Sequence, residues 1–446
     1  MLIDYTRQYK DKLRTPEEAV SVIKSGDWVD YTSSLGMPVL LDRALSRRRD
    51  ELYDVKIRGN LIAGPIETAE CDPDQIHFIY HSWHCSAYER KLCDKGLCYY
   101  IPMVFHNNAA YYEFFIKVNV VMVSVSPMDK HGYFNFSVNT GVAGPISRRA
   151  DIVIVEVNEN MPKIHGGYDE CIHISEIDYI VEGEHEPFKD MLPIVPKEID
   201  RKIAGHIIPY MVDGANLQLG IGSVPNAVGE IIAQSDLKDL GMHTELCTDA
   251  YLELYRSGKL TNKRKNIDRG KGVFGCAIGS NELYEWLDDN HGIAAYPLEY
   301  VNRPSIIAQL DNMVSINSCV AVDLYGQVAA ESAGSRQISG TGGQLDFLAG
   351  ASASRGGKAF ICMSSLFKGK DGRSHSRIRP QFDGDIITSP RSQVYFIATE
   401  YGVVNLEGKS TWERAADLIS IAHPDFREEL IREAELRRIW RRSNKR

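Results

Sequence analysis

The amino-acid sequence predicts an α/β protein made of two similarly folded open α/β domains related by internal duplication. Three observations carry this. Strand-like apolar runs alternate with amphipathic helical patterns along the whole chain, the signature of largely parallel sheets with helical crossovers. At 446 residues the chain is too long for one ordinary hydrophobic core. Finally, a pattern of glycine, alternating strand, loop and proline near residue 30 recurs near residue 217.

In the first half, "GDWVDYTSSLGMPVLLDRA" (26–44) reads as a strand and a loop, with a proline opening an apolar helix. "MVFHN" is strand-like and precedes the helical "AAYYEFFIKV"; "VVMVSVSP" and "DIVIVEV" follow as strands. In the second half, "GANLQLGIGSVPNAVGE" (214–230) repeats the opening pattern, its proline again placed to start a helix. Pro38 and Pro225 lie 187 positions apart, and Asp129 and Asp323 lie 194 apart. The two aspartates head matching D-x-x-G segments, "SPMDKHGYFNFS" and "AVDLYGQVAAES". Near-equal offsets point to duplicated halves. The charged, proline-containing "IVEGEHEPFKDMLPIVPKEID" is the natural linker, placing the domains at 1–190 and 191–446. Arg58 follows Pro38 by 20 positions, as Glu245 follows Pro225. Any chemistry at Glu245 therefore belongs to the C-terminal half alone.

Composition excludes several classes. With 43% hydrophobic and 25% charged residues the chain is an ordinary globular protein, and its net charge of −9 argues against non-specific nucleic-acid binding. No apolar run approaches the about 20 residues of a membrane span. "MLIDYTRQYKDKLR" is charged from its fourth residue and has no apolar core, so secretion is not expected and a cytoplasmic location is. Nine scattered cysteines, an odd number, fit reduced thiols rather than a disulfide framework. His81, His84, Cys85, Cys93 and Cys98 crowd one region, but their spacing matches no common zinc pattern, and no metal is expected.

Three segments carry candidate chemistry. In "LQLGIGSVPNAV" (217–228), Gly220 and Gly222 end a strand before a helix. Such a turn cradles an anion on backbone N–H groups and the helix N-terminus, or serves only as a tight strand–helix connection. "SGTGGQLDFLAGASAS" (339–354) is a second loop that a ligand can approach closely, without the lysine of a P-loop or the spacing of a dinucleotide fingerprint. Lys370 lies in a basic, glycine-containing stretch suited either to a phosphate or to solvent.

The third segment is "LGMHTELCTDAY" (240–251). As a strand it places His243, Glu245 and Cys247 on one face. Cys247 with His243 as base would suit a thiol enzyme, and His243 would suit a metal. Glu245 would suit a carboxylate nucleophile that forms an anhydride with an acyl donor. All three can equally be structural. No Ser-His-Asp or zincin motif is present. A carboxylate attacker suits the movement of an activating group between carboxylates, because attacker and final acceptor are alike and neither metal nor general base is required. Such a site does need backbone donors for the oxyanion.

The segments "LQLGIGSVPNAV", "LGMHTELCTDA", "SGTGGQLDFLAGAS" and "ATEYGVVNLEGKS" resemble signature segments of the acetyl-CoA hydrolase/transferase family. "VSPMDKHGYFNFSVN", "GPISRRADIVIVEVNENMP" and "SIAHPDFREELIREAE" are similar too, so the likeness spans essentially the full length. It is greatest for the branch of 4-hydroxybutyrate and butyryl-CoA:acetate CoA-transferases, and within it for bacterial itaconate CoA-transferase.

This resemblance implies two open α/β domains of the CoA-transferase type with the active site at their interface, usually in a homodimer or higher homo-oligomer. It implies transfer of CoA between an acyl-CoA and a small carboxylate of the itaconate, butyrate, 4-hydroxybutyrate or acetate class. Glu245 would be the catalytic nucleophile of a ping-pong mechanism through a glutamyl-CoA thioester. Gly220, Ile221, Gly222, Ser223 and Val224 would form the CoA and oxyanion segment, with Val320, Gly343 and Lys370 lining the CoA site. No cofactor beyond CoA as substrate is implied. Met37 and Glu67, in first-half loops facing the acyl group, are candidates for setting specificity, or simple loop variation. A glutamate there would repel a dicarboxylate unless paired with a cation. An acyl-CoA hydrolase and a non-catalytic CoA-binding sensor remain alternatives.

Overall fold

The computed structural model describes residues 5–188, 190–192, 194–369 and 371–443. The chain forms two compact units. One comprises Met1–Leu192, Glu245–Thr248 and Lys271–Val301, the other Pro193–Thr244, Asp249–Gly270 and Asn302–Arg446. The polypeptide thus changes unit at Leu192, inside the charged proline-containing stretch. It changes again within the strand Gly241–Cys247, where Glu245 is the first residue to return to the first unit.

The sheet of the first unit is parallel throughout. Its spatial order is Tyr99–Tyr100, Phe78–Ser82, Val55–Gly59, Trp28–Asp30, Val120–Val125, Ile152–Val157 and Tyr179–Glu182. Val120–Val125 is buried at every position, as expected of a central parallel strand covered on both faces. One apolar core holds Val29, Ile57 and Tyr80, and a second holds Val121, Val123 and Phe134. Two short strands in this unit, Gly272–Ala277 and Ile293–Ala295, also pair in parallel.

The second unit repeats the winding. Asn216–Leu219 is central, pairing with Gly241–Cys247 on one side and Met313–Ser318 on the other. Lys358–Cys362 and Phe396–Thr399 extend the sheet in parallel, and Gly402–Asn405 closes it as an antiparallel edge. In both halves the second strand therefore flanks the first, and a later strand crosses to the first strand's other edge. That is the topology of a duplicated open α/β fold.

The two D-x-x-G segments fold alike. Asp129 N–H donates to Tyr133 O at 2.8 Å, and Asp323 N–H to Gln327 O at 3.1 Å. Each carboxylate Oδ1 accepts two backbone N–H groups, from His131 and Tyr133 or from Tyr325 and Gln327. Gly132 and Gly326 turn the chain at φ +85° and +87°, a region that favours glycine.

Two local expectations are corrected. "MVFHN" is not a strand: Phe105–Asn107 is a 3₁₀ turn leading into the helix Asn108–Phe114. Phe105 packs edge-on against the buried Trp83 with ring centroids 5.5 Å apart, and the polar residues that follow favour helix entry over a ladder. Pro225 does not open its helix, which begins at Ser223 with Gly222 as cap. Third place costs nothing, because the first turn's N–H groups have no intrahelical acceptor. Among the described residues no helix is long and apolar enough to cross a membrane.

Candidate active site

In open α/β sheets, ligands collect beyond the carboxyl ends of the strands where strand order reverses. In the first unit that point lies between Trp28–Asp30 and Val120–Val125, and a cavity of about 330 Å³ has Ser124 in its wall there. The loop after Asp30 is shaped to form that wall. Ser34 N–H donates to Asn60 O at 2.7 Å, Asn60 Nδ2 to Ser33 Oγ at 2.8 Å, and Ser124 Oγ to Met37 O at 3.1 Å. Thr32 and Ser34 are held at φ +60° and +52°, costly for side-chain-bearing residues and frequent at functional sites. Leu35, Met37, Leu40, Ile62 and Met161 supply apolar wall, and both predicted pocket residues, Met37 and Glu67, line this one cavity.

Its charged wall is a cluster. Glu67 is paired: Arg43 Nε lies 3.3 Å from its Oε1, and Arg43 Nη1 lies 3.4 Å from Glu184. Two carboxylates thus share one guanidinium. Behind them Asp42 and Glu156 are buried wall residues. Burial pushes Asp42 up to about 6, against hydrogen bonds from Thr68, Tyr31 and two backbone N–H groups. Burial likewise pushes Glu156 up to about 7, against the Leu41 N–H that donates to its Oε2 at 3.0 Å.

A carboxyl with a raised folded-state pKa keeps its proton to higher pH than in the unfolded chain. The native state then binds more protons between about pH 4 and pH 7, and stability falls as pH rises through that window. Glu156→Gln keeps the acceptor for Leu41 and removes the titration. We expect it to lessen the fall in unfolding free energy across that window by about 3 kcal/mol. Urea melts on either side of the window measure this, and parallel wild-type and variant curves would contradict it.

Glu245, in the C-terminal half of the sequence, clusters with this first unit. The strand Gly241–Cys247 is buried at every position except Glu245, which is half-buried. Beside it, Cys276 is buried. Burial raises its thiol to about 12, and the Glu245 charge adds to this. Ser33 hydrogen-bonds the Cys276 thiol, and the adjacent Ser34 lines the cavity. Gly275 and Gly141 permit the close packing. A Cβ at Gly275 would come 2.6 Å from Leu298 Cδ2 and 3.2 Å from Glu245 O, and one at Gly141 would come 3.0 Å from Cys276 Sγ. His243 and Cys247 are fully buried, and His243 meets the edge of Phe347.

The second unit positions the glycine loops. Gly220 N–H donates to Ile316 O at 2.9 Å, which sets Gly220–Gly222 at the strand-order reversal between Asn216–Leu219 and Met313–Ser318. A Cβ at Gly220 would meet Asn317 Oδ1 at 2.5 Å, so side-chain-free backbone is required there. Gly222 has φ +143° and faces Ser318, while Ile221 is exposed. Beneath lies a buried amide–hydroxyl network. Ser315 Oγ and Asn317 Nδ2 donate to Gln218 Oε1 at 2.6 and 2.9 Å. Ser223 and Val224 begin the helix Ser223–Gln234, and Val320 follows the neighbouring strand. Gly343 caps a different helix, Gln344–Ala353, whose Gln344 donates to Ser389 Oγ at 2.8 Å. Lys370 lies outside the described residues.

Comparison with known proteins decides the family. Residues 2–196 match the acetyl-CoA hydrolase/transferase N-terminal domain, and residues 279–434 match the C-terminal domain. The chain belongs to the acetyl-CoA hydrolase/transferase family. It is 49% identical over 440 residues to a probable butyrate:acetyl-CoA coenzyme A-transferase of Syntrophomonas wolfei, covering 98% of each chain. It is 46% identical to a butyryl-CoA:acetate CoA-transferase of Anaerostipes caccae, covering 99% of this chain and 100% of that one. The crystal structure of RipA from Yersinia pestis superposes with a TM-score of 0.90 at 38% identity, over 98% of this chain and 100% of that chain.

Within this acetyl-CoA hydrolase/transferase chain, the predicted residues fall into groups. Glu245, Met37 and Glu67 belong to the first unit; Gly220–Val224, Val320 and Gly343 belong to the second. Sequence reasoning missed Arg43, Glu184, Asp42 and Glu156. Glu156 carried a readable signal, a lone carboxylate inside the apolar strand "DIVIVEV". Glu184 sits in the stretch read as a linker, where charge suggested only solvation, yet His185 and Phe188 of that stretch also line the cavity.

Proposed function

We propose that this protein moves CoA between a short-chain acyl-CoA and a small carboxylate through a glutamyl-CoA thioester on Glu245. It is an acyl-CoA:carboxylate CoA-transferase. One observation carries the residue assignment: Glu245 alone is half-exposed in a strand whose other reactive side chains, His243 and Cys247, are fully buried. Glu245 attacks the thioester carbonyl, forming an acyl–glutamyl anhydride and expelling CoA thiolate. The thiolate attacks the glutamyl carbonyl, giving the glutamyl-CoA thioester and releasing the first carboxylate. The second carboxylate attacks that thioester and reverses the sequence, leaving as the new acyl-CoA. We assign the CoA moiety to Gly220, Ile221, Gly222, Ser223, Val224, Val320, Gly343 and Lys370, with no further cofactor.

For the acyl group we favour a monocarboxylate of the butyrate class, with acetate as a partner. The apolar wall of the cavity suits a short alkyl chain, and Glu67 and Glu184 outnumber Arg43. Itaconate would bring a second carboxylate against that acidic wall, and 4-hydroxybutyrate would bring only a hydroxyl.

The test is mass spectrometry after incubation with butyryl-CoA and no acceptor, followed by borohydride. Reduction of Glu245 to the alcohol in the tryptic peptide Asp239–Arg256 is expected. Acylation at Cys247, or steady CoA release without acceptor, would move the assignment to a thiol enzyme or a hydrolase. In an acceptor panel acetate should outpace itaconate, and the reverse order would overturn the monocarboxylate reading.

A further inference from the structure

Three cysteines whose spacing matches no common zinc motif converge in the first unit. In the C-x7-C-x4-C run Cys85, Cys93 and Cys98, the three sulfurs all lie within 4.8 Å of one another, and Cys85 Sγ and Cys93 Sγ are 3.7 Å apart. Local structure explains the convergence. Ser86 caps the helix Ala87–Asp94 through a reciprocal capping box with Glu89, which fixes Cys85 just outside the N-terminus. At the other end Leu97 N–H donates to Leu92 O at 2.8 Å and Gly96 N–H to Cys93 O at 3.0 Å, with Gly96 at φ +74°. That paired closure, with glycine in the left-handed position, reverses the chain and returns Cys98 beside Cys93.

The spacing suits coordination. Four sulfurs at the about 2.3 Å zinc–sulfur distance sit at tetrahedron corners about 3.8 Å apart. Three in a plane would be about 4.0 Å apart. Cys85 and Cys98 are buried in the apolar core, which fixes two ligands, while Cys93 is half-buried and leaves a way in. His81 and His84, which the sequence placed in the same region, are not part of the cluster. Thiolate donors without oxygen ligands select soft or borderline closed-shell cations over magnesium or calcium.

We propose that Cys85, Cys93 and Cys98 form a three-thiolate site for a thiophilic cation, Zn²⁺ or Cu⁺, with solvent completing the shell where the ion requires a fourth ligand. Binding replaces three S–H protons by one cation, so affinity rises with pH. The site bears on the cavity structurally. The same helix supplies Glu89, whose Oε2 accepts the Ile62 N–H, and Ser86, which donates to Ile62 O. Ile62 is cavity wall.

The test uses the full-length, reduced, chelator-treated protein titrated with Cd²⁺ as a spectroscopic probe. A sulfur-to-metal charge-transfer band saturating at one equivalent is expected, together with protection of Cys93 from alkylation in peptide maps. Cys93→Ser, at the half-exposed ligand, should weaken binding at least about tenfold. Cys98→Ala should do the same, with unchanged melting of the metal-free protein showing that the fold survives. Competition by Zn²⁺ and, under reductant, by Cu⁺ identifies the preferred ion. No band at one equivalent, or variant titrations that overlay the wild type, would overturn the site. So would recovery of a Cys85–Cys93 disulfide in place of metal protection.

Discussion

Glu245→Ala is expected to lower CoA-transfer turnover by about 10⁴-fold or more, because it removes the carboxylate on which the proposed covalent intermediate forms. Neither neighbouring thiol is poised to substitute for it: Cys247 is fully buried, and the Cys276 thiol is raised to about 12 by burial. Glu245→Asp keeps the charge but draws the carboxylate back by about 1 Å, a misplacement that costs about 10²-fold in positioning. Both variants should melt as the wild type does, since Glu245 is half-buried and the core of its strand is untouched. A Glu245→Ala enzyme retaining even a tenth of the wild-type rate would refute the nucleophile assignment. Cys247→Ser is the control and should cost little turnover.

The second large effect is on stability. In the first sheet, Arg58 occupies the strand topologically equivalent to that of Glu245, and it is tied up. Its Nη1 lies 3.0 Å from Asp30 Oδ2 with both side chains buried, and its guanidinium sits 4.5 Å from the Trp28 ring centroid. Tyr112 Oη donates to the same Asp30 Oδ2 at 2.7 Å. Burial still pushes the Asp30 carboxyl up despite these partners. Arg58→Met would strand that carboxyl, and the expected destabilisation is about 3–5 kcal/mol. With the cation gone the folded pKa of Asp30 rises further, so the loss grows as pH rises above the ordinary carboxyl range. The double variant Asp30→Asn/Arg58→Met should recover most of it, because a neutral pair whose amide keeps the Tyr112 partner costs little where a lone buried charge costs much. Chemical denaturation of the two single and one double variants closes the cycle. An Arg58→Met protein as stable as wild type would contradict this reading.

These two positions show how far the sequence reaches. Pro38 and Pro225 align Arg58 with Glu245 at equal offsets, and the structure sets them on equivalent strands. What the alignment cannot say is that one is locked in a buried ion pair while the other is half-exposed. Arg58's partners Asp30 and Tyr112 lie 28 and 54 positions away on other elements. The Glu67 problem has the same form. A glutamate beside an acyl pocket reads as an isolated charge until Arg43 is seen to pair with it and with Glu184, 117 positions away, leaving the wall net acidic.

The sequence by itself determined the α/β class, the duplicated halves, the strand bearing Glu245 and the glycine turns. Each of these is written locally, in period-two and helical patterning, in D-x-x-G turns, and in glycines at positions where φ or close packing forbids a Cβ. Only the tertiary structure decided which side chains share a space. It gathered Met37, Glu67, Arg43 and Glu184 into one cavity wall, raised Asp42 and Glu156 by burial, and brought Cys85, Cys93 and Cys98 together. Burial and electrostatic coupling depend on distance through space, and backbone patterning alone does not encode which distant segments will be neighbours.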